Sequence, residues 1–190
     1  VYMGELNSEE KDKIDNKRSH LNFSKQYTTD SLIEVDLPGK LYHFPDYDGF
    51  DQHQFADMIN GAFYLVTRVK TYATLRGQDE NYVLKKLDSI LYENIPGKIL
   101  KKKSIRNAGY DGFDITTRTR RGDLHRFQIF ITPLEVIIFK AGGNGDFVNG
   151  EEGEKFFNSI KIKNPEKTDY NSYNASKASF TAIFPARPID

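Results

Sequence analysis

The chain has 190 residues, 38% of them hydrophobic, and its 27 lysines and arginines are balanced by 27 aspartates and glutamates. It contains no cysteine, which excludes disulfides, thiolate zinc sites and thiol catalysis, and the balanced charge indicates no class of partner. No apolar run approaches the roughly 20 residues that a membrane-spanning helix needs, so we expect no spanning segment. The length fits one ordinary domain with tails.

The first thirty residues are mostly polar, and we expect a polar leader over 1–30 that docks weakly on the domain. Ser8, followed by Glu9 and Glu10, is typical of a helix N-terminus, because a serine cap and early acids satisfy the first free N–H groups. The start at Val1 suggests a processed chain and favours an extracytoplasmic location.

A single α+β domain is predicted over 31–163. Its first part indicates short strands, because residues 32–37 alternate and residues 61–72 are rich in β-branched and aromatic side chains. Residues 41–44 are predicted to form another short strand. The Asp- and Gly-containing segment 46–60 is expected to form a turn with one helical turn in it.

The clearest helix is predicted over 79–94, where apolar residues recur at intervals of three and four. They form one stripe that consists of Val83, Leu84, Leu87, Ile90 and Leu91. Pro96-Gly97 is expected to end this helix.

After the helix, the sequence favours an antiparallel meander, because strand-like segments are separated by tight turns such as Arg121-Gly122-Asp123. The predicted strands are 99–106, 112–120, 124–131 and 134–139. Alternation places four large apolar side chains on one face, where we expect the helical stripe to pack. These side chains are Phe113, Ile115, Phe127 and Ile129.

The domain is expected to close with a short helix that begins near Glu151. Acids in its first turn favour the helix dipole, and Phe156 and Phe157 provide a buried side. Ile160-Lys161-Ile162 is predicted to form a last strand.

Residues 164–190 are rich in Asn, Ser and Lys and are predicted to form a linker with a strand-like end. The alternating residues 180–184 are followed by Pro185, as Leu37 is followed by Pro38 at the end of the first strand. We therefore expect residues 180–184 to pair with an edge of this domain or with a neighbour, as an added strand or as the start of another module.

The order of elements is a long helix, a four-strand meander, a Gly-rich turn and a short helix with Phe156-Phe157-Asn158-Ser159-Ile160. In this order and motif the chain resembles the PsbP-like family of α-β-α sandwiches over about 31–163. The resemblance implies an antiparallel sheet meander flanked by one long and one short helix. It also implies an adaptor or binding role without a shared active site, so no catalytic, cofactor or metal residue is assigned from it.

Two groups of residues raise the question of a metal or catalytic site. Carboxylates alternate over 46–51 beside a glycine, a spacing that suits a hard cation such as calcium and also an ordinary Asp/Gly turn. His43, Asp51 and His53 supply metal ligands and acid–base groups, which makes a metal-dependent hydrolase an alternative function. Ordinary hydrogen-bonded or surface histidines are the competing interpretation, and convergence of the three side chains would distinguish the two.

Nine basic residues and only three acidic residues occur between positions 98 and 126. The candidate anion-binding residues on these strands are Lys101, Lys103, Arg118, Arg120 and Arg126. A positive sheet face suits nucleic acid or an acidic glycan, whereas a solvated or covered face is the alternative without a ligand.

The sequence thus predicts a non-catalytic binding or scaffold module that contacts a protein partner, or a neighbouring module of the same chain, within a larger assembly. No cofactor is expected. Polyanion binding through residues 98–126 and hydrolysis at the His43 group are the alternatives.

Overall fold

The structure is a computed structural model, and no helix that it describes has the length and apolar character to span a membrane. The described residues are 22–44, 50–58, 61–71, 75, 77–91, 95, 97–143, 147–163, 171–174 and 181–184.

Within these residues the chain forms twelve strands and two α-helices. The strands are β1 (Ser24–Tyr27), β2 (Ile33–Leu37), β3 (Tyr42–Phe44), β4 (Phe50–Asp57), β5 (Ala62–Lys70), β6 (Lys98–Asn107), β7 (Tyr110–Arg118), β8 (Leu124–Ile131), β9 (Glu135–Gly143), β10 (Lys161–Ile162), β11 (Asn171–Asn174) and β12 (Thr181–Phe184). The helices are α1 (Glu80–Leu91) and α2 (Glu151–Ser159), and a short 3-10 turn at Phe147–Asn149 precedes α2.

A seven-stranded antiparallel sheet forms the centre, with the order β3-β4-β5-β9-β8-β7-β6. The predicted four-strand meander is confirmed as β6 to β9. A second sheet of three strands has the order β1-β2-β10, and β11 and β12 form a separate antiparallel pair. The fold class is therefore α+β, as predicted.

One face of the central sheet packs against α1. Val83 and Leu87 from the helical stripe are 1% and 0% exposed, and they belong to one buried cluster with residues of the meander. The other buried members are Val69, Leu75, Phe113, Ile115, Phe127, Ile129, Val136 and Ile138. The expected packing of the helix on Phe113, Ile115, Phe127 and Ile129 is thus confirmed.

The opposite face packs against the three-stranded sheet and α2. The second cluster joins inward residues of β2, such as Val35, to inward residues of β5 and β9, such as Tyr64 and Phe139, and to Phe156 of α2. The central sheet therefore has a helix on one face and a mixed layer of strands and helix on the other, as in an α-β-α sandwich.

Asp79 fixes the start of α1, because its Oδ1 accepts hydrogen bonds from the backbone N–H of Asn81 and Tyr82 at 2.9 and 3.4 Å. In α2, Glu151 and Glu154 lie in the first turn, where their charge favours the helix dipole.

Three segments differ from the sequence-based expectation. Residues 50–57, expected within a turn, form β4, because all eight residues pair with β5 even though most of them are polar. Residues 24–27, within the predicted leader, form β1 and pair with β2. Residues 171–174, within the predicted linker, form β11 and pair with the predicted strand at 181–184.

Candidate functional site

His43, Asp51 and His53 lie together near one edge of the central sheet. Pairing of β3 with β4 places His43 opposite His53, and Asp51 precedes His53 by two residues and so shares its face. The two imidazole rings have centroids 4.6 Å apart and planes tilted by 31°. The three side chains therefore converge, as a functional interpretation of these residues requires.

Asp51 connects the members of this cluster. Its Oδ1 accepts a 2.8 Å hydrogen bond from His43 Nε2 and lies 3.7 Å from His53 Nδ1. Its Oδ2 lies 3.8 Å from Nη1 of Arg68. The aspartate therefore holds the half-exposed His43 ring in place on the strand next to its own.

His53 is 1% exposed, and its role follows from its hydrogen bond. Its Nε2 accepts a 3.2 Å bond from the backbone N–H of Thr29, in the turn between β1 and β2. A neutral imidazole has one donor and one acceptor nitrogen, so the proton of His53 resides on Nδ1. Burial lowers the pKa of His53, and His43 adds to this effect, although Asp51 opposes it.

The tautomer of His53 bears on the metal hypothesis. One potential ligand atom each from His43, Asp51 and His53 lies within 4.8 Å of the others. A metal-ligating histidine normally donates the N–H of its other nitrogen, whereas the other nitrogen of His53 accepts a backbone N–H. The arrangement therefore does not fit a three-ligand centre. Residues 45–49, which hold most of the carboxylates considered for calcium, lie outside the described residues.

The same cluster supplies only part of a hydrolytic site. Asp51 orients His43 as the carboxylate of a catalytic dyad would, which provides one acid–base group. His53 is enclosed beneath the turn at Thr29 and serves as a structural acceptor. Proton transfer at His43 is thus the chemistry that this geometry offers.

Arg68, which the sequence analysis did not single out, clamps the same turn to the central sheet. It forms an ion pair with Asp30 of the β1–β2 turn and bonds of 2.9 to 3.2 Å with the Glu135 carboxylate of β9. Burial alone would lower the pKa of the Arg68 guanidinium, but Glu135 and Asp30 outweigh this effect and raise it. The sequence did contain a signal for this role. Arg68 is two residues after Val66 and four after Tyr64, so it places a charge on the inward face of β5.

Arg126, one of the predicted anion-binding residues, is engaged within the fold. Its guanidinium makes bonds of 3.0 and 2.7 Å to the Asp114 carboxylate and 2.6 Å to Glu154 of α2. It also lies over the ring of Phe157, 4.6 Å from its centroid, and is only 12% exposed. Arg126 therefore fastens α2 to β8, which differs from its sequence-based assignment.

The other predicted anion-binding residues are exposed. Lys101 and Lys103 lie on β6, on the same face as Arg118 of the paired strand β7, and Arg120 lies in the following turn. No ion pair to these four side chains occurs in the part of the chain that the structure describes. The structure thus brings Lys101, Lys103 and Arg118 together on the β6–β7 hairpin. Arg126 lies on the same face of the next strand, opposite Thr116, but Asp114 and Glu154 neutralise its charge.

Lys98 joins the same group, because it pairs across the hairpin with Arg118 and is also exposed. On the other face of β6, Lys102 and Arg106 are compensated by Glu80 and Asp111. We call β6 and β7, with Lys98, Lys101, Lys103 and Arg118 on one face, the basic hairpin. β6 is an outer strand of the seven-stranded sheet.

Comparison with solved structures identifies the fold. The solution structure of cyanobacterial PsbP (CyanoP) from Synechocystis sp. PCC 6803 matches with a TM-score of 0.53 at 13% identity, covering 75% of this chain and 93% of that protein. The chain has a PsbP-like fold. At this identity the likeness concerns the fold alone, and it agrees with the resemblance predicted from the order of elements.

A second solved structure, the Pseudomonas aeruginosa protein of unknown function PA94, matches with a TM-score of 0.38 at 15% identity, covering 70% of this chain and 92% of that protein. That likeness is too low to support an argument. No protein-family model matches the chain, and no curated protein matches it.

Proposed function

We propose that this PsbP-like domain is a non-catalytic binding module that contacts a protein partner through the basic hairpin within a larger assembly. The observation that carries the proposal is the distribution of charge on β6 and β7. The side chains of Lys98, Lys101, Lys103 and Arg118 are exposed on one face of the hairpin, and no described acidic side chain forms an ion pair with them. Asp114, which lies opposite Lys103, is bound instead by Arg126. A positive face of this kind attracts an acidic partner, and its charges contribute little to the stability of the fold.

The use of the remaining charged groups supports a binding role over a catalytic one. Arg68 and Arg126 form internal ion pairs, and His53 accepts a hydrogen bond from a backbone N–H. These groups stabilise the sandwich, whereas the lysines of the basic hairpin contribute nothing comparable to it. A protein partner would bind the exposed charges of the basic hairpin, which form no ion pair within the described part of the fold.

Polyanion binding is the second candidate, favoured by Arg120 and Arg121, which extend the positive charge beyond Arg118 in the turn after β7. Nucleic acid or an acidic glycan would be held by charge, so affinity would fall steeply with salt. Heparin is a suitable probe for this alternative. Failure to bind heparin even at low salt removes it.

Hydrolysis at His43 is the third candidate. The 2.8 Å hydrogen bond between His43 and Asp51 supports this candidate. The tautomer of His53 argues against it, because Nε2 of His53 already accepts a backbone N–H. A general base at His43 would predict loss of any hydrolytic activity in His43→Gln.

The proposed function is tested by charge reversal on the basic hairpin. Tagged wild-type protein, a Lys101→Glu/Lys103→Glu variant and a Lys85→Glu/Lys86→Glu control on α1 are expressed in the source cells, and co-purifying proteins are quantified by mass spectrometry. We expect a partner that is retained by the wild type and the control and lost from the hairpin variant. Equal recovery from all three proteins would contradict the proposal.

A further inference from the structure

Among the described strands, β6 is paired on one side only. β6 pairs with β7 on one side, and no described strand pairs with it on the other. The loop between them is the two residues Ala108 and Gly109, both with positive φ (51° and 86°), which makes Asn107 and Tyr110 the closing hydrogen-bonded pair. Alternation from that pair directs the N–H and C=O groups of Ser104 and Arg106 outward.

Among the described strands, β6 is long for a strand at the edge of a sheet. β6 has 10 residues, more than any other described strand, whereas exposed edges are usually kept short. A bulge between Ile99 and Lys101 interrupts the pairing with β7 near one end, and Ile99 and Leu100 are 44% and 46% exposed there. The edge therefore offers both unused backbone groups and apolar contacts.

Charge decides which strand can use this edge. Lys101 and Lys103 are two residues apart and so project from the same face. A second copy of β6 would bring lysines against lysines, which is a known protection against self-association. An extended segment with acidic residues at alternate positions would place them beside Lys101 and Lys103.

We infer that β6 binds an acidic, extended segment of a partner protein by strand addition, in which the segment becomes an eighth strand of the central sheet. The backbone of β6 supplies the hydrogen bonds, and the lysines select acids on one face of the segment. This inference rests on the proposed function, because it assigns a partner chemistry and a binding mode to the basic hairpin.

The test uses two acetylated, amidated octapeptides of equal charge, one of alternating valine and glutamate and one of alternating proline and glutamate. Proline removes alternate N–H groups and cannot join a ladder, so the second peptide reports binding by charge alone. Affinities are measured by isothermal titration for the full chain and for Ser104→Pro, Ser104→Ala and Lys101→Gln/Lys103→Gln. Ser104→Pro removes an outward N–H, and Ser104→Ala is its matched control.

We expect the valine peptide to bind at least about tenfold more tightly than the proline peptide, and Ser104→Pro to weaken it by about tenfold. Ser104→Ala should leave the affinity within about twofold, and Lys101→Gln/Lys103→Gln should lower it by about fivefold. The glutamine variant keeps the inference testable if Ser104→Pro does not fold. Slower exchange of the Ser104 and Arg106 amides with bound peptide is a further expected result.

Equal binding of the two peptides, or no binding at millimolar concentration, would overturn strand addition. Either result leaves the co-purification experiment unaffected, because a folded partner can meet the lysines without adding a strand. If the hairpin variant loses the partner but the peptides do not bind, strand addition is wrong and the proposed function stands. If the hairpin variant keeps the partner, the proposed function itself is wrong.

Discussion

Leu87 tests whether α1 is anchored as the structure indicates. Its side chain is 0% exposed and lies in the cluster with Phe113, Ile115 and Ile129. Truncation to alanine removes the equivalent of about three buried methylene groups, worth about 2.4 kcal/mol at ~0.8 kcal/mol each. The cavity left behind adds to this loss, so we expect Leu87→Ala to lower the free energy of unfolding by about 3 to 4 kcal/mol.

The assay is urea unfolding followed by circular dichroism, with Lys85→Ala as the control on the exposed side of the same helix. The control should change the free energy of unfolding by less than about 0.5 kcal/mol, because it removes a solvated side chain. A loss below about 0.5 kcal/mol for Leu87→Ala would refute the packing of α1 on the meander.

Three further predictions concern the polar features of the fold. The folded protein binds the His53 proton more weakly than the unfolded chain does, so stability should fall as the pH drops below about 6.5, and His53→Gln should flatten this dependence in pH-dependent melting curves. Ala108→Asn should stabilise the β6–β7 turn by about 0.5 to 1 kcal/mol, whereas Gly109→Ala should destabilise it by about 1 kcal/mol, because both positions have positive φ. Arg126→Ala should lower the free energy of unfolding by about 3 kcal/mol, because it leaves the largely buried Asp114 carboxylate uncompensated, and the exposed Arg106→Ala should lower it by less than about 0.5 kcal/mol in the same urea assay.

The sequence predicts the parts of the fold whose residues carry a regular period. Val83 and Leu87 mark α1 through helical spacing, and the meander follows from period-two alternation between short turns. The sequence does not predict β4 at 50–57, because most of its residues are polar and the buried position is His53 rather than an apolar residue.

The sequence identifies the residues of the candidate site but not the contacts that they make. His43 and His53 are suggestive in sequence, but the acceptor role of His53 depends on Thr29, which is 24 residues away. Likewise, Arg126 reads as a free cation until Glu154 of α2, 28 residues later in the chain, is placed beside it. Long-range contacts of this kind have no local signal.

Site-specific photo-crosslinking tests most directly whether a partner protein contacts β6. A benzophenone amino acid is introduced at Lys103 of the basic hairpin and, in a control protein, at Lys85 of α1, which is also exposed. After irradiation of the source cells, we predict a discrete crosslinked protein adduct from position 103 and none from position 85. Absence of an adduct at position 103, or the same adduct from both positions, would contradict binding through the basic hairpin.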